Sequence, residues 1–93
     1  MAEEPNRWRL ETTSRGENSL RKLDKPVLRR IRKYLEEVAA LDNPRDRGKP
    51  LTANKAGLWA YRQGSWRVVC DIQDETLVIL VVDAGPRQNI YDD

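Results

Sequence analysis

Gly57-Leu-Trp-Ala-Tyr-Arg-Gln-Gly-Ser-Trp-Arg-Val-Val-Cys-Asp-Ile72 and, after a short gap, Leu77-Val-Ile-Leu-Val-Val-Asp-Ala84 read as three successive β-strands, at about 57–62, 66–73 and 76–84. Gln63-Gly64-Ser65 and Gln73-Asp74-Glu75 are natural hairpin turns between them. Side chains alternate across a strand, so Trp66, Val68, Cys70 and Ile72 share one face, and Arg67, Val69 and Asp71 share the other. Likewise Leu58, Ala60 and Arg62 stand opposite Trp59 and Tyr61. One face must lie under helices, and the Arg67 face is expected to be at least partly open. The last strand carries no polar residue from Leu77 to Val82, as a central, doubly covered strand would. Arg62, Arg67 and Arg87 thus gather near one end of a sheet, where fixed guanidinium groups suit a polyanion such as a nucleic-acid backbone. A plainer reading stays open beside this one, in which Arg67 pairs with Asp71 and Arg62 solvates an edge strand. Trp8, Trp59 and Trp66 are expected to serve the core, Cys70 to be a small buried hydrophobe, and Tyr91 is open to a surface role.

Upstream lie a strand and two helices. Trp8-Arg9-Leu10-Glu11 alternates apolar and charged residues, as a short strand does. Ser14 and Glu17 have capping-box spacing for a first helix carrying Leu20 and Leu23 on one face, with Gly16 weakening its first turn. Asp24 is placed to cap a second helix, Pro26 sits in its first turn, and Leu23 and Leu28 are spaced as a hydrophobic staple. Val27, Leu28, Ile31, Leu35, Val38 and Leu41 recur at helical spacing, Arg32–Glu36 and Lys33–Glu37 are i,i+4 pairs, and Asn43-Pro44 ends the helix. Residues 42–57 form a loop carrying Arg45, Arg47, Lys49 and Lys55. The expected fold is α+β in the order β-α-α-β-β-β, a helical hairpin packed on a small, mainly antiparallel sheet. It forms one domain over residues 1–93, with 1–6 expected to be flexible.

Composition narrows the function. One cysteine excludes an internal disulfide, and without histidine the usual zinc site is excluded too, so no metal is expected. No apolar run reaches the length of a membrane span, and the first residues are unlike a signal peptide, so the chain is expected in the cytoplasm with no membrane partner. Net charge is only +2, yet residues 21–67 hold 13 Lys/Arg against 5 Asp/Glu, leaving both ends acidic. Such a basic middle can draw in phosphates.

Four short patterns in unbroken order carry a family likeness: Arg21-Lys-Leu-Asp-Lys25, Gly48-Lys-Pro-Leu51, Gly57-Leu-Trp-x-Tyr-Arg-x-Gly-x-x-Arg-Val68, and Gly85-x-Arg-x-x-Ile-Tyr91. Together they span about Trp8 to Tyr91, and the chain resembles the RelE/ParE superfamily of bacterial type II toxins, leaning towards the RelE branch. The resemblance implies a RelE-like microbial ribonuclease fold and an endonuclease that cuts mRNA in the ribosomal A site by attack of the RNA's own 2′-OH. By position it implies catalytic roles for Arg67, Arg87 and Tyr91, with Arg62 as a further basic site residue; the basic residues of the loop (Arg45, Arg47, Lys49 and Lys55) are expected to contact RNA. It also implies an acidic, partly disordered antitoxin, operator DNA bound only through the toxin–antitoxin complex, and no cofactor. The sequence departs from the family at Ala60, where relatives typically carry arginine or lysine, at Pro86 before Arg87, and at Ser65-Trp66. Those departures imply an attenuated or inactivated enzyme. The same fold also serves gyrase poisons of the ParE kind, and a non-toxic antitoxin-binding module is a third reading.

Overall fold

A computed structural model describes residues 7–86. Residues 1–6, and the expected site residues Arg87 and Tyr91, lie outside the described residues. The elements are β1 (Arg9–Thr12), α1 (Ser14–Arg21), α2 (Lys25–Ala39), β2 (Lys49–Pro50), β3 (Trp59–Gln63), β4 (Trp66–Gln73) and β5 (Val78–Pro86). Single 3₁₀ turns at Pro44–Asp46 and Ala53–Lys55 shape the loop around β2. The five strands form one sheet in the order β1-β5-β4-β3-β2. β1 runs parallel to β5, with Arg9 opposite Val78 and Thr12 opposite Val81. The other neighbours are antiparallel. This is the expected α+β arrangement, with β5 an inner strand between β1 and β4, and the helical hairpin opening the long connection that a parallel pair requires.

Local signals mostly hold, with three corrections. The first helix is capped by Thr13, whose Oγ1 accepts the Gly16 N–H at 2.9 Å, and not by Ser14. Thr13 N–H donates to the Val81 carbonyl at 3.0 Å, so pairing with β5 keeps the chain extended one residue further than the capping box implied. The Glu17 carboxylate accepts from Arg21 at 2.8 Å. Asp24 occupies the cap position of α2 without making a side-chain cap bond. Finally, α2 stops at Ala39, whose carbonyl accepts the Trp8 N–H at 2.9 Å, leaving Leu41 outside the helix. Glu37 pairs with Arg47 across the loop, at 3.4 Å.

Two apolar clusters lie on opposite faces of the sheet. On the helix side Ile31, Leu35 and Val38 of α2 meet Tyr61, Val68, Cys70 and Ile79. Trp8 is buried with them, while Trp59 and Trp66 pack half-buried at the margin. Gly16 fixes how closely α1 approaches β5, since a Cβ there would lie 2.2 Å from the Val81 carbonyl oxygen. The far face has a smaller cluster of Leu51, Ala60 and Val69, flanked by Leu58 and Val82. Among the described residues, no helix is long and apolar enough to cross a membrane.

Candidate anion-binding cleft

The far face carries the expected site. In the β3–β4 ladder Arg62 stands directly opposite Arg67, and Arg67 in turn stands opposite Gly85 of β5. Two ladder rows away, on the same face, Lys49 of β2 pairs with Ala60. Lys49, Ala60, Arg62 and Arg67, with Gly48 and Tyr61, line a cleft of about 220 Å³. Contrary to the expectation of a partly open face at this position, Arg67 is 1% exposed. It sits on an inner strand with β3 and β5 on either side, and a cation placed so deep is committed to one location. Arg62 and Lys49 are exposed at the mouth. Like charges facing one another across a ladder destabilise a sheet by a few tenths of a kcal/mol or more. An anion seated in the cleft would turn that repulsion into attraction.

Gly48 makes this geometry possible; in the sequence it stood out only within the Gly48-Lys-Pro-Leu51 pattern, with no structural role assigned to it. Its φ is +78°, and a Cβ would meet the Ala60 carbonyl oxygen at 2.4 Å and Trp59 Nε1 at 2.7 Å. Only glycine lets the loop close on β3 and bring Lys49 beside Ala60. The Gly-Lys pair itself was the available signal. Trp59 Nε1 then donates to the Arg47 carbonyl at 2.6 Å, tying down the same loop.

The other basic loop residues go elsewhere. Arg45 forms a two-pronged ion pair with Asp74, at 2.9 and 3.0 Å, in the turn after β4. That hydrogen bond raises the arginine's pKa and holds the Asp74 carboxyl below the usual carboxylate range. Arg47 lies 5.7 Å from the centre of the Tyr34 ring and reaches Glu37. Lys55 is half-buried and does not line the cleft. Tyr61 borders the cleft, but its side chain packs in the helix-side core, its hydroxyl donates to the Pro44 carbonyl at 2.7 Å, and burial pushes its pKa up. It is therefore held as a neutral phenol. Burial raises the Cys70 thiol likewise, keeping it inert. Among the described residues no group of acidic, cysteine or histidine side chains could hold a metal ion. What the described cleft offers chemically is concentrated positive charge on rigid strands.

A small α+β fold with a cationic cleft on its sheet is the class that these features define. The profile of the family described as ParE toxin of type II toxin–antitoxin system, parDE, matches residues 10–91, and the chain belongs to that family, within the RelE/ParE superfamily of toxins. No curated protein matches the sequence. Among solved structures, the RelBE2 toxin–antitoxin complex of Mycobacterium tuberculosis superposes with a TM-score of 0.79 at 22% identity, covering 92% of this chain and 98% of that one. The intact Escherichia coli RelBE complex gives 0.69 at 22% identity, covering 85% and 95%. A doubly substituted E. coli RelE toxin in the free state gives 0.72 at 26% identity, covering 88% and 85%. These likenesses establish the fold.

Proposed function

We propose that this toxin is a ribosome-dependent mRNA endonuclease that cuts in the A site, acts in the cytoplasm and is held silent by a cognate antitoxin. The observation that carries the reading is the convergence of Lys49, Arg62 and Arg67 in one cleft, supported by the likeness to RelE toxins. In the reaction, the 2′-oxygen attacks the adjacent phosphorus, a 2′,3′-cyclic phosphate forms, and the bond to the 5′-oxygen breaks. That oxygen leaves with a proton. Arg67 and Arg62 stabilise the extra charge on the crowded phosphate. Arg87 and Tyr91 share in the reaction, and the tyrosine handles protons, since the chain has no histidine. Lys49 grips the strand at the cleft mouth, with Arg45, Arg47 and Lys55 as outer RNA contacts. The ribosome supplies the alignment that so spare a proton-transfer apparatus lacks. Ala60 leaves the floor of the cleft without a cation, and a lost charge of this kind costs on the order of 10²–10³ in rate. The enzyme is therefore attenuated. An acidic antitoxin segment that folds on contact neutralises the basic middle, and operator DNA is bound only through the complex.

Primer extension on mRNA held in programmed ribosomes tests this, with the chain and its Ala60→Arg variant in parallel. A-site cleavage by the chain, strengthened by the variant and lost with Arg62→Ala, is the expected result. The ParE profile favours a second reading, a gyrase poison; gyrase-dependent DNA breaks without mRNA cleavage would replace the first reading with it.

A further inference from the structure

A second cavity, larger than the cleft, takes no part in the chemistry above. It is a groove of about 670 Å³ where α1 meets the start of β4 and the end of β5, against about 220 Å³ for the cleft. Trp66 and Leu23 supply its apolar wall, and Lys22, Asn18 and Arg15 its polar one. The state of these side chains matches a ligand with a flat ring and a negative charge. The indole N–H of Trp8 donates to the Asp42 carbonyl at 3.3 Å, and that of Trp59 to the Arg47 carbonyl at 2.6 Å. The indole N–H of Trp66 has no hydrogen-bond partner among the described residues, and the ring is half-buried rather than enclosed. Lys22 and Asn18 are exposed, and their side chains likewise have no partner there. Asp83, an acid of the same groove, is already held by Ser19 Oγ at 2.7 Å, Arg15 at 3.1 Å and the Ala84 N–H at 2.9 Å. Its charge is met within the protein, which leaves the Lys22 ammonium and the remaining N–H groups of Arg15 to meet an anion.

We infer that this groove binds one nucleotide, with its base stacked on Trp66 and its phosphate held by Lys22 and Arg15. It is the neighbour, in the same RNA strand, of the nucleotide seated in the cleft. Continuity between the two cavities carries the second half of the inference. Trp66 and Arg67 are successive residues of β4, so one faces the groove and the other the cleft. Their partners on β5 are Pro86 and Gly85, and Trp66 with Pro86 is the end pair of that ladder. An RNA strand leaving Arg67 has only the end of the sheet to round before it meets Trp66. Stacking on an indole accepts any base, and the Asn18 amide, which both donates and accepts, stands in the same groove beside it. The wall of Trp66 and Leu23 matches a single ring, where a docked peptide helix needs a run of anchors at helical spacing. A free mononucleotide offers the same ring and phosphate; preferring the RNA strand rests on the ribonuclease reading above.

The indole N–H signals of the ¹⁵N-labelled full chain test the inference, with Trp66 assigned from the Trp66→Phe variant. The probes are a short single-stranded RNA of mixed sequence, adenosine monophosphate and poly-glutamate, each titrated separately. The Trp66 signal should move with the RNA, while that of Trp8, buried in the core, stays. Trp66→Leu should weaken RNA binding about tenfold or more. Lys22→Gln, at an exposed position that leaves the fold intact, should lower the slope of log affinity against log salt by about 0.7, as for one phosphate contact on a single strand. A Trp66 signal that stays still with both RNA and mononucleotide would overturn the proposal. So would an unchanged slope in Lys22→Gln, or a Trp66 signal moved as far by poly-glutamate as by RNA. Equal movement with adenosine monophosphate alone would overturn the strand as the source and leave a free nucleotide. Arg62→Gln should weaken RNA binding yet leave the Trp66 shift at saturation in place. The assay uses neither ribosome nor cleavage, so an inactive cleft and an unused groove would be told apart.

Discussion

Replacing Gly16 with alanine should destabilise the protein, although helix propensity argues the opposite. In an exposed helix the change stabilises by about 1 kcal/mol. Here the new Cβ would stand 2.2 Å from the Val81 carbonyl oxygen and 2.9 Å from its carbon. Both atoms belong to the backbone of β5, an inner strand that cannot turn aside as a side chain could. α1 must therefore withdraw by about 1 Å to reach ordinary contact, and overpacking of this kind costs about 1–3 kcal/mol. The withdrawal also strains the Thr13 N–H bond to the Val81 carbonyl, at 3.0 Å, for about 1 kcal/mol more. With an unyielding neighbour the upper figures apply, and the net loss is about 3 kcal/mol. For a urea slope of about 1.5 kcal/mol/M the midpoint falls by about 2 M. Gly64→Asn is the matched control: nothing would lie within 4 Å of a new Cβ there, and asparagine tolerates its φ of +59°. It should stay within about 0.5 kcal/mol of the parent. Urea denaturation followed by tryptophan fluorescence reads both. A Gly16→Ala midpoint equal to or above that of the parent would refute the close-approach argument.

Tyr61→Phe should cost about 1–1.5 kcal/mol through loss of the buried hydroxyl bond to Pro44, measured by the same denaturation. Because burial raises the Tyr61 pKa in the folded state, its contribution is complete below the unfolded value near 10 and is lost as pH rises beyond it. The alkaline fall in stability should accordingly be shallower in Tyr61→Phe. The Arg45–Asp74 pair works at the other limb. The Asp74 carboxyl lies below its ordinary value of 3.8 when folded, so its contribution is present above that pH and disappears as the medium becomes more acid. Both groups are solvent-exposed, so Asp74→Asn should cost less than about 1 kcal/mol at neutral pH and nothing near pH 2, in melts across that range. Leu77 is 41% exposed and has a left-handed φ of 55°. Leu77→Gly should stabilise by about 0.5–1 kcal/mol, read as a rise in thermal midpoint.

Much of this was legible in the amino-acid order because the strongest signals are periodic. The Arg67–Asp71 alternation and the Ile31–Leu35–Val38 stripe each repeat at the spacing of one element and lie where that spacing puts them, whereas the apolar Leu77–Val82 run enters β5 only from Val78, with Leu77 exposed in the turn before it. Arg62 and Arg67 follow from the same alternation, since a tight turn at Gly64 brings them face to face. Features that depend on pairing did not show. β2 is two residues long, too short for any period, so the ladder placing Lys49 beside Ala60 was hidden in a loop. Likewise the register shift between Val69 and Cys70 is invisible in a run of hydrophobic letters. It leaves Val82 as an extra residue in β5, and just after it Asp83 accepts from Ser19 at 2.7 Å and Arg15 at 3.1 Å of α1. The cap at Thr13 failed for a related reason: local chemistry favoured Ser14, but a parallel neighbour 68 residues later in the chain extended the strand.

The strand made last among the described elements, β5, lies inside the sheet between β1 and β4, and β1 has no other strand neighbour. Synthesis is vectorial, so everything up to the turn after β4 emerges without the strand that joins β1 to the rest. Until the chain has been made through Pro86, β1 has nothing to pair with, and Arg67 has a strand on one side only. The residues that line the cleft all precede β5, so what the last strand adds is the second neighbour of Arg67 and the join between β1 and the rest of the sheet.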